Sequence, residues 1–310
     1  MDKKSGQPVY SQEATQNIDK VDIYVFKDDA GTYKWVKTYT TTWTSGTASK
    51  TYTVPDNDKL AAGNYRFIAV GINTSGSYTI AATTSTTYSQ LYAEIATSGD
   101  EYEIFAGNNA AVIGAAQEAQ VGIDMTRKVA GFLGYFGNIP ADIDGTAVKY
   151  LRLKIDKANK AVSLSDGLGN TSASGYNLFE IDLSGQTVTN GLYDGNEIAS
   201  VTKLPFSQLA GGYLIPVTGV QLTVGLYASD GEPLRTWKVV NGSNQSQYDL
   251  VANNLYSLGQ KMKAGDTTGG TGDPNDPLAD SFMDLQKDQD IVITINKDWE
   301  TIHSLDIEEE

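Results

Sequence analysis

The sequence predicts an all-β protein built from antiparallel sandwiches. Three observations carry that prediction. Apolar residues recur at every second position in a series of short segments. Clusters of Gly, Asp, Asn and Pro separate those segments and supply turns. Helical spacing is scarce, and Thr86–Thr97 is the best candidate for it. An α/β fold would interleave strands with many such helices.

The first strand is VDIYVFK (Val21–Lys27), which sets Val21, Ile23 and Val25 against Asp22, Tyr24 and Phe26. DDAG (Asp28–Gly31) turns it. TYKWVKTYTTTW (Thr32–Trp43) and SKTYTV (Ser49–Val54) are rich in β-formers, and PDND (Pro55–Asp58) is a turn. AAGNYRFIAVGIN (Ala61–Asn73) is a strand with Tyr65, Phe67 and Ala69 on one side. In TTYSQLYAEIAT (Thr86–Thr97), Tyr88, Leu91 and Ile95 share a helical face and Thr87 can cap it. EYEIFAG (Glu101–Gly107) and AQVGIDM (Ala119–Met125) are short strands.

A second block opens at TRKVAGFLGYF (Thr126–Phe136). It continues through AVKYLRLKI (Ala147–Ile155), NLFEIDLS (Asn177–Ser184), GGYLIPV (Gly211–Val217), VQLTVGLYA (Val220–Ala228), PLRTWKVV (Pro233–Val240) and NNLYSLGQK (Asn253–Lys261). A chain of 310 residues is long for one sandwich. Two are expected, over residues 1–124 and 125–310. Residues 1–20 have no sustained period and are expected to be an extended, weakly held leader.

The chain closes on DIVITINKDWETIHSLDIEEE. Ile291, Ile293 and Ile295 form one alternating apolar face. Asn296-Lys297-Asp298 is a kink, and Trp299, Ile302, Leu305 and Ile307 form a second apolar set. The Gly-, Asp- and Pro-rich loop before it, Lys263–Ser281, suggests that this strand pairs away from its sequence neighbour. Such a strand is hazardous unless paired, within the chain or between chains. Asp290–Ile295 is expected to complete the chain's own C-terminal sandwich, and Trp299–Ile307 to reach a neighbour. The alternative is that the whole segment folds back on its own domain.

Composition narrows the function. The formal charge of −15 repels phosphate backbones and anionic membrane surfaces, so nucleic acid is not expected as a partner. Cysteine is absent, which removes disulfides, thiol catalysis and Cys-ligated metals. The opening residues MDKKSGQPVYSQEATQ carry no apolar stretch, so no signal peptide is expected there. Either the chain is cytosolic or an export signal was removed.

Catalytic groups are sparse. His303 is the sole histidine and no G-x-S-x-G elbow is present, so a Ser-His-Asp triad has little to build on. Glu101 with Glu103, and Asp142 with Asp144, are carboxylate pairs by adjacency, more simply solvated than glycosidic. DIDG (Asp142–Gly145) opens like a calcium loop but lacks later ligands in register. Asp273, Asp276 and Asp280 offer oxygen ligands in an acidic loop that is expected to be a spacer. Gly167 and Gly169 carry no nucleotide signal outside a strand–loop–helix context. No catalytic residue, metal or cofactor is expected. Trp35, Trp43, Trp237 and Trp299 can stack on sugar rings or fill cores. Trp43, in a Thr/Ser-rich stretch, is the best exposed candidate for a glycan contact.

The order of the motifs VDIYVF, LAAGNYRFIAVGINTSG, MTRKVAGFLGYFGNIP, GGYLIPV, ANNLYSLGQK and DIVITINKDW resembles the fimbrillin family of Bacteroidales, subunits of the type V pilus with their anchor and tip relatives. The resemblance covers nearly the whole chain. It implies two tandem transthyretin-like sandwiches and export as a lipoprotein whose lipidated Cys lies upstream of the mature chain. It also implies proteolytic removal of a first strand and a groove filled by the C-terminal strand of the next subunit. The donor candidates here are Ile291, Ile293, Ile295, Trp299, Ile302, Leu305 and Ile307. The first arginine is Arg66, inside a predicted strand, so the family's arginine processing site is not legible. The expected role is a non-enzymatic stalk, tip or anchor subunit at the cell surface, outer membrane or fimbrium. Its partners would be other fimbrial subunits and surface glycans or proteins, with membrane contact only through a lipid anchor on the precursor. The alternative is a surface glycan-binding lipoprotein.

Overall fold

The computed structural model describes residues 6–13, 16–115, 119–195, 206–241, 247–261, 280–286 and 301–309. The first part of the chain supplies strands β1 (Lys20–Asp29), β2 (Thr32–Thr42), β3 (Gly63–Ile72), β4 (Tyr92–Glu94), β5 (Ile104–Ile113) and β6 (Thr126–Arg127). Next come β7 (Ala130–Gly137), β8 (Asp142–Ile143), β9 (Thr146–Ala147), β10 (Tyr150–Ile155), β11 (Lys157–Ser163), β12 (Gly169–Ser174), β13 (Asn177–Asp182), β14 (Val188–Thr189) and β15 (Leu192–Tyr193). The last are β16 (Ser207–Leu214), β17 (Val217–Val220), β18 (Leu222–Tyr227), β19 (Pro233–Asn241), β20 (Tyr248–Leu250), β21 (Asn254–Leu258), β22 (Met283–Asp284) and β23 (Thr301–Glu309). Helical structure among the described residues is limited to two single turns, Asp56–Asp58 and Tyr88–Gln90. The protein is all-β, as the alternation predicts.

Three sheets frame the molecule. A five-stranded antiparallel sheet runs β2-β1-β3-β5-β6. A nine-stranded sheet runs β13-β10-β18-β19-β23-β21-β7-β16, with β22 beside β7. A three-stranded sheet, β12-β11-β4, takes strands from both parts of the chain.

Local chemistry accounts for the main turns and cores. β1 turns into β2 through Ala30 and Gly31, both at positive φ, and the Asp28 carboxylate accepts the Gly31 N–H at 2.8 Å. Both faces of β1 are covered. Tyr24 and Phe26 pack with Ile68, Val70 and Leu91, while Val25 packs with Tyr39, Tyr65 and Phe67. β7 is buried along its whole length between β16 and β21, which explains its unbroken apolar run. The largest core joins Phe132 and Phe136 of β7 and Leu258 of β21 to Leu151 and Leu153 of β10, Phe179 of β13 and Trp237 and Val239 of β19.

Several expectations are corrected. Thr86–Thr97 forms one tight turn and then β4, not a helix. Leu91 and Ile95 fit a helical spacing and a strand spacing equally. Ala93 is buried with them, while Tyr92 and Glu94 are not, so the period is two. Thr87 still organises the turn, with its N–H and Oγ1 both directed at Gln90 Oε1. SKTYTV and AQVGIDM form no strand. DIDG is a hairpin, with Asp144 and Gly145 at positive φ between β8 and β9. β11 and β12 are additions to the expected strands, because KANKAVS and GNTSAS are too polar to show an apolar period.

Candidate assembly site

β23 occupies a singular place in the nine-stranded sheet. Its first half pairs in parallel with β21, Asn254 opposite Thr301 through Ser257 opposite Ser304. Its second half pairs antiparallel with β19, Asn241 opposite Leu305 through Trp237 opposite Glu309. The two ladders use adjoining stretches of one strand. β23 therefore crosses from one group, β21-β7-β16, to another, β13-β10-β18-β19. Among the described residues no other strand joins those groups by ladder hydrogen bonds. Strands that switch sheets in this way make the corners of sandwiches.

The walls of the slot are dry. Asn254, Leu255, Tyr256, Ser257 and Leu258 of β21 are all buried, as are Trp237, Val239 and Val240 of β19. The Tyr256 hydroxyl donates to the Asp249 carbonyl at 2.9 Å and accepts the Val251 N–H at 2.9 Å. Burial pushes that hydroxyl up to about 12.

A second structure lies at the far edge of the same sheet. The segment Gly6–Gln12 runs as a strap from the connection before β5 to β16 and the chain just after β21. The Gly6 and Gln7 amides donate to the Gly99 and Glu101 carbonyls, both at 2.9 Å. Pro8 bridges Gly212, and the Val9 amide donates to the Gly211 carbonyl at 3.2 Å. The Gln12 amide donates to the Lys261 carbonyl at 2.8 Å. Val9 is buried among Tyr24, Ile68, Tyr213 and Leu255. The strap covers the outer edge of β16, whose other edge pairs with β7. A leader expected to be weakly held is thus bound over these residues, because Gly6, Pro8 and Val9 let its backbone lie close against two sheets.

The anchor beneath the strap is charged. Glu103 is fully buried and its Oε1 lies 2.6 Å from Arg127 Nε, itself 5% exposed. Glu103 Oε1 also accepts the Tyr213 hydroxyl at 3.3 Å, and Oε2 accepts the Asn17 N–H at 2.9 Å. Its own N–H donates to Gln7 Oε1 at 3.0 Å. Glu101, also fully buried, accepts the Tyr176 hydroxyl at 2.9 Å and the Gly99 N–H at 2.8 Å. Burial first, and the Glu101 charge second, hold Tyr78 and Tyr176 well above the ordinary tyrosine value. These two carboxylates are buried structural clamps bonded within the fold, which corrects their reading as solvated acids.

The remaining sequence candidates separate. Ile302, Leu305 and Ile307 lie on β23, Ile302 opposite Leu255, Leu305 opposite Asn241 and Ile307 opposite Val239. His303 stands opposite Tyr256 in the same ladder. The stretch expected to reach a neighbour, Trp299–Ile307, therefore lies from Thr301 onward in the chain's own sheet. Ile291, Ile293, Ile295 and Trp299 lie outside the described residues, as do Asp273 and Asp276. Asp280 is turned inward onto Lys261 Nζ, 2.6 Å away in a fully buried pair. Gln260 and Ser281 exchange backbone hydrogen bonds beside it. Lys261 and Asp280, on either side of residues 262–279, are therefore in contact. Trp43 is half-buried against Ile18, Val21 and Ala69, with its indole N–H enclosed, so it does not present an exposed platform. Trp237 is a core residue and Trp35 is half-buried with its N–H on Thr38 Oγ1 at 2.9 Å. Gln7, Asn17 and Arg127 escape sequence reasoning, because their partners are 24 or more residues away and no local pattern marks them.

A sequence profile of the family described as fimbrillin-A associated anchor proteins Mfa1 and Mfa2 matches residues 4–305. No curated protein matches. Among solved structures, a candidate adhesin from Bacteroides thetaiotaomicron is similar at 18% identity and a TM-score of 0.44, over 70% of this chain and 71% of that one. The fimbrial anchor protein Mfa2 from Porphyromonas gingivalis is similar at 12% identity and a TM-score of 0.40, over 68% and 70%. The tip fimbrial protein Mfa3 from the same organism, with a C-terminal truncation, is similar at 12% identity and a TM-score of 0.39, over 83% and 93%. The family assignment rests on the profile.

Proposed function

The chain belongs to the family of fimbrillin-A associated anchor proteins, and from that premise we propose that it is a non-enzymatic stalk, tip or anchor subunit joined to its neighbours by exchange of β23. Its family is one of fimbrial proteins, which sets its place at the cell surface or fimbrium and its partners as other fimbrial subunits. The proposal further takes the chain as two tandem transthyretin-like domains, divided near Met125, and its precursor as an outer-membrane lipoprotein.

One observation carries the exchange reading. Among the described residues β23 is the one strand that links the two strand groups by ladder hydrogen bonds, and it enters along two ladders with buried walls. A strand from a second subunit can form the same ladders, with main-chain hydrogen bonds giving affinity.

Because the chain lacks cysteine, the test is clean. Asn241→Cys with Leu305→Cys places two thiols at facing positions of the β19–β23 ladder. Oxidised purified chain is expected to run as a cross-linked monomer. Oxidised fimbriae are expected to run as a ladder of covalent multimers. Fimbriae that yield only cross-linked monomer would exclude strand exchange.

A further inference from the structure

The three-stranded sheet carries a cleft that neither the slot nor the strap uses. Its volume is about 800 Å³, and Ala96, Thr97, Ser98, Lys160 and residues 171–174 line it. Ligand clefts span roughly 300–1,000 Å³. Thr97, Thr171, Ser172 and Ser174 contribute hydroxyls, Lys160 contributes an ammonium, and no lining residue is acidic or aromatic. In a chain of net charge −15 this is an unusual wall.

Two features mark the wall. The Lys160 ammonium donates to the Ala96 carbonyl at 3.2 Å, which directs the group and uses one of its three N–H bonds. Thr171 is held at φ 61 within β12. The ladder passes from Asn159 opposite Ser172 to Ala161 opposite Asn170, so Thr171 stands across from Lys160 without a shift in register. A β-branched residue in the left-handed region is strained, and such strain concentrates at ligand clamps. The frame around it is fixed. Asn159 Nδ2 donates to the Pro216 carbonyl at 2.7 Å, and a Cβ on Gly169 would lie 1.8 Å from that oxygen.

We propose that this cleft binds a carboxylate-bearing sugar of the uronic or sialic acid class, with Lys160 on the carboxylate and the Ser and Thr hydroxyls on the sugar hydroxyls. A single ammonium suits a monoanion better than a phosphate dianion, which calls for further cations or a nest of backbone amides. The volume exceeds what a bare anion fills, and the surrounding hydroxyls match a polyol. A neutral pyranose would find no ring to stack on. The cleft is independent of the β23 slot. Failure of strand exchange leaves sugar binding intact, and the reverse also holds.

Titration calorimetry on the full monomeric chain tests it, with glucuronate, N-acetylneuraminate, glucose, acetate and inorganic phosphate as probes. At least one acidic sugar is expected to bind about tenfold more tightly than glucose, which lacks the charge-assisted hydrogen bond to Lys160, and than acetate or phosphate, which lack the sugar hydroxyls. Lys160→Met should lower that affinity about tenfold, and Lys160→Arg should retain most of it. Thermal melts of each variant verify folding, and the comparison of probes on the unaltered chain needs no variant. No heat with either acidic sugar overturns the proposal. So does glucose or phosphate binding equally well, or a folded Lys160→Met variant with unchanged affinity.

Discussion

Replacing Arg127 with Met removes the cation beneath the strap and keeps much of its apolar stem. The pair it breaks is buried on both sides, with Arg127 Nε 2.6 Å from Glu103 Oε1. Breaking a buried pair from one side costs about 3–5 kcal/mol, because the charge left behind stays out of water. Glu103 keeps the Asn17 N–H at 2.9 Å and a longer contact to the Tyr213 hydroxyl at 3.3 Å. Those donors place the loss near the low end, about 3 kcal/mol. The guanidinium also lies 4.9 Å from the Phe105 ring centroid, which adds under about 1 kcal/mol. Urea unfolding should show this loss as a lower midpoint at constant slope. The double variant Arg127→Met with Glu103→Leu removes both charges and also the acceptor of the Asn17 amide and of the Tyr213 hydroxyl. It should cost about 2 kcal/mol, well below the sum of the singles, so the cycle reports a coupling of about 2 kcal/mol or more. A single-variant loss below about 1 kcal/mol, or a double variant equal to the sum of the singles, would refute the clamp.

The strap itself answers to Gly6→Ala. A Cβ there would lie 2.3 Å from the Glu101 carbonyl oxygen and 2.8 Å from its nitrogen. The strap must lift, and amide exchange at Gln7 and Val9 should rise about tenfold or more; unchanged exchange would mean that those hydrogen bonds do not hold it. Alkali probes the layer beneath. The Tyr78 and Tyr176 hydroxyls lie well above the ordinary 10.0 because burial and Glu101 disfavour the phenolate. A raised value contributes stability that is fully present below pH 10 and is lost as pH rises beyond it, since the unfolded chain then releases protons that the folded one retains. Unfolding free energy measured at stepped pH should fall above 10, and Tyr176→Phe should flatten part of that slope. Equal slopes in the two proteins would count against the assignment.

The strands that sequence reveals are those with a clear alternation or an unbroken apolar run bounded by turn residues. Val21–Lys27 is legible because Asp28 and Gly31 end it and its apolar residues alternate. Phe132–Phe136 is legible because an unbroken apolar run fits only a strand covered on both sides. Segments where two periods coincide are not legible, as at Leu91 and Ile95, nor are polar strands such as β11 and β12. Those strands are fixed by partners distant in sequence, Ser163 opposite Tyr92 and Lys157 opposite Ser174. The buried role of Glu103 is hidden for the same reason, since its partner Arg127 belongs to a different strand. The terminal strand is visible as a strand in need of a partner. Which partner it takes depends on register with β19 and β21, and no local residue encodes that.

That register bears on how a joint could form. β23 makes five residue pairings with β19 and four with β21. A β23 from a second subunit would make the same nine, so the contacts of the self-paired and exchanged states nearly cancel. What separates them is tethering. The chain's own β23 is covalently attached, and attachment through a short tether gives an effective concentration on the order of millimolar. Against a free subunit at about 1 μM, the chain's own strand wins by roughly a thousandfold, or about 4 kcal/mol. Exchange in dilute solution is therefore unfavourable even where the slot is open to it. On the strand-exchange proposal, such a subunit would stay closed until something removed or displaced its own strand, or until neighbours were concentrated on a surface. The cross-link expected in purified chain and the ladder expected in fimbriae are two consequences of that one difference.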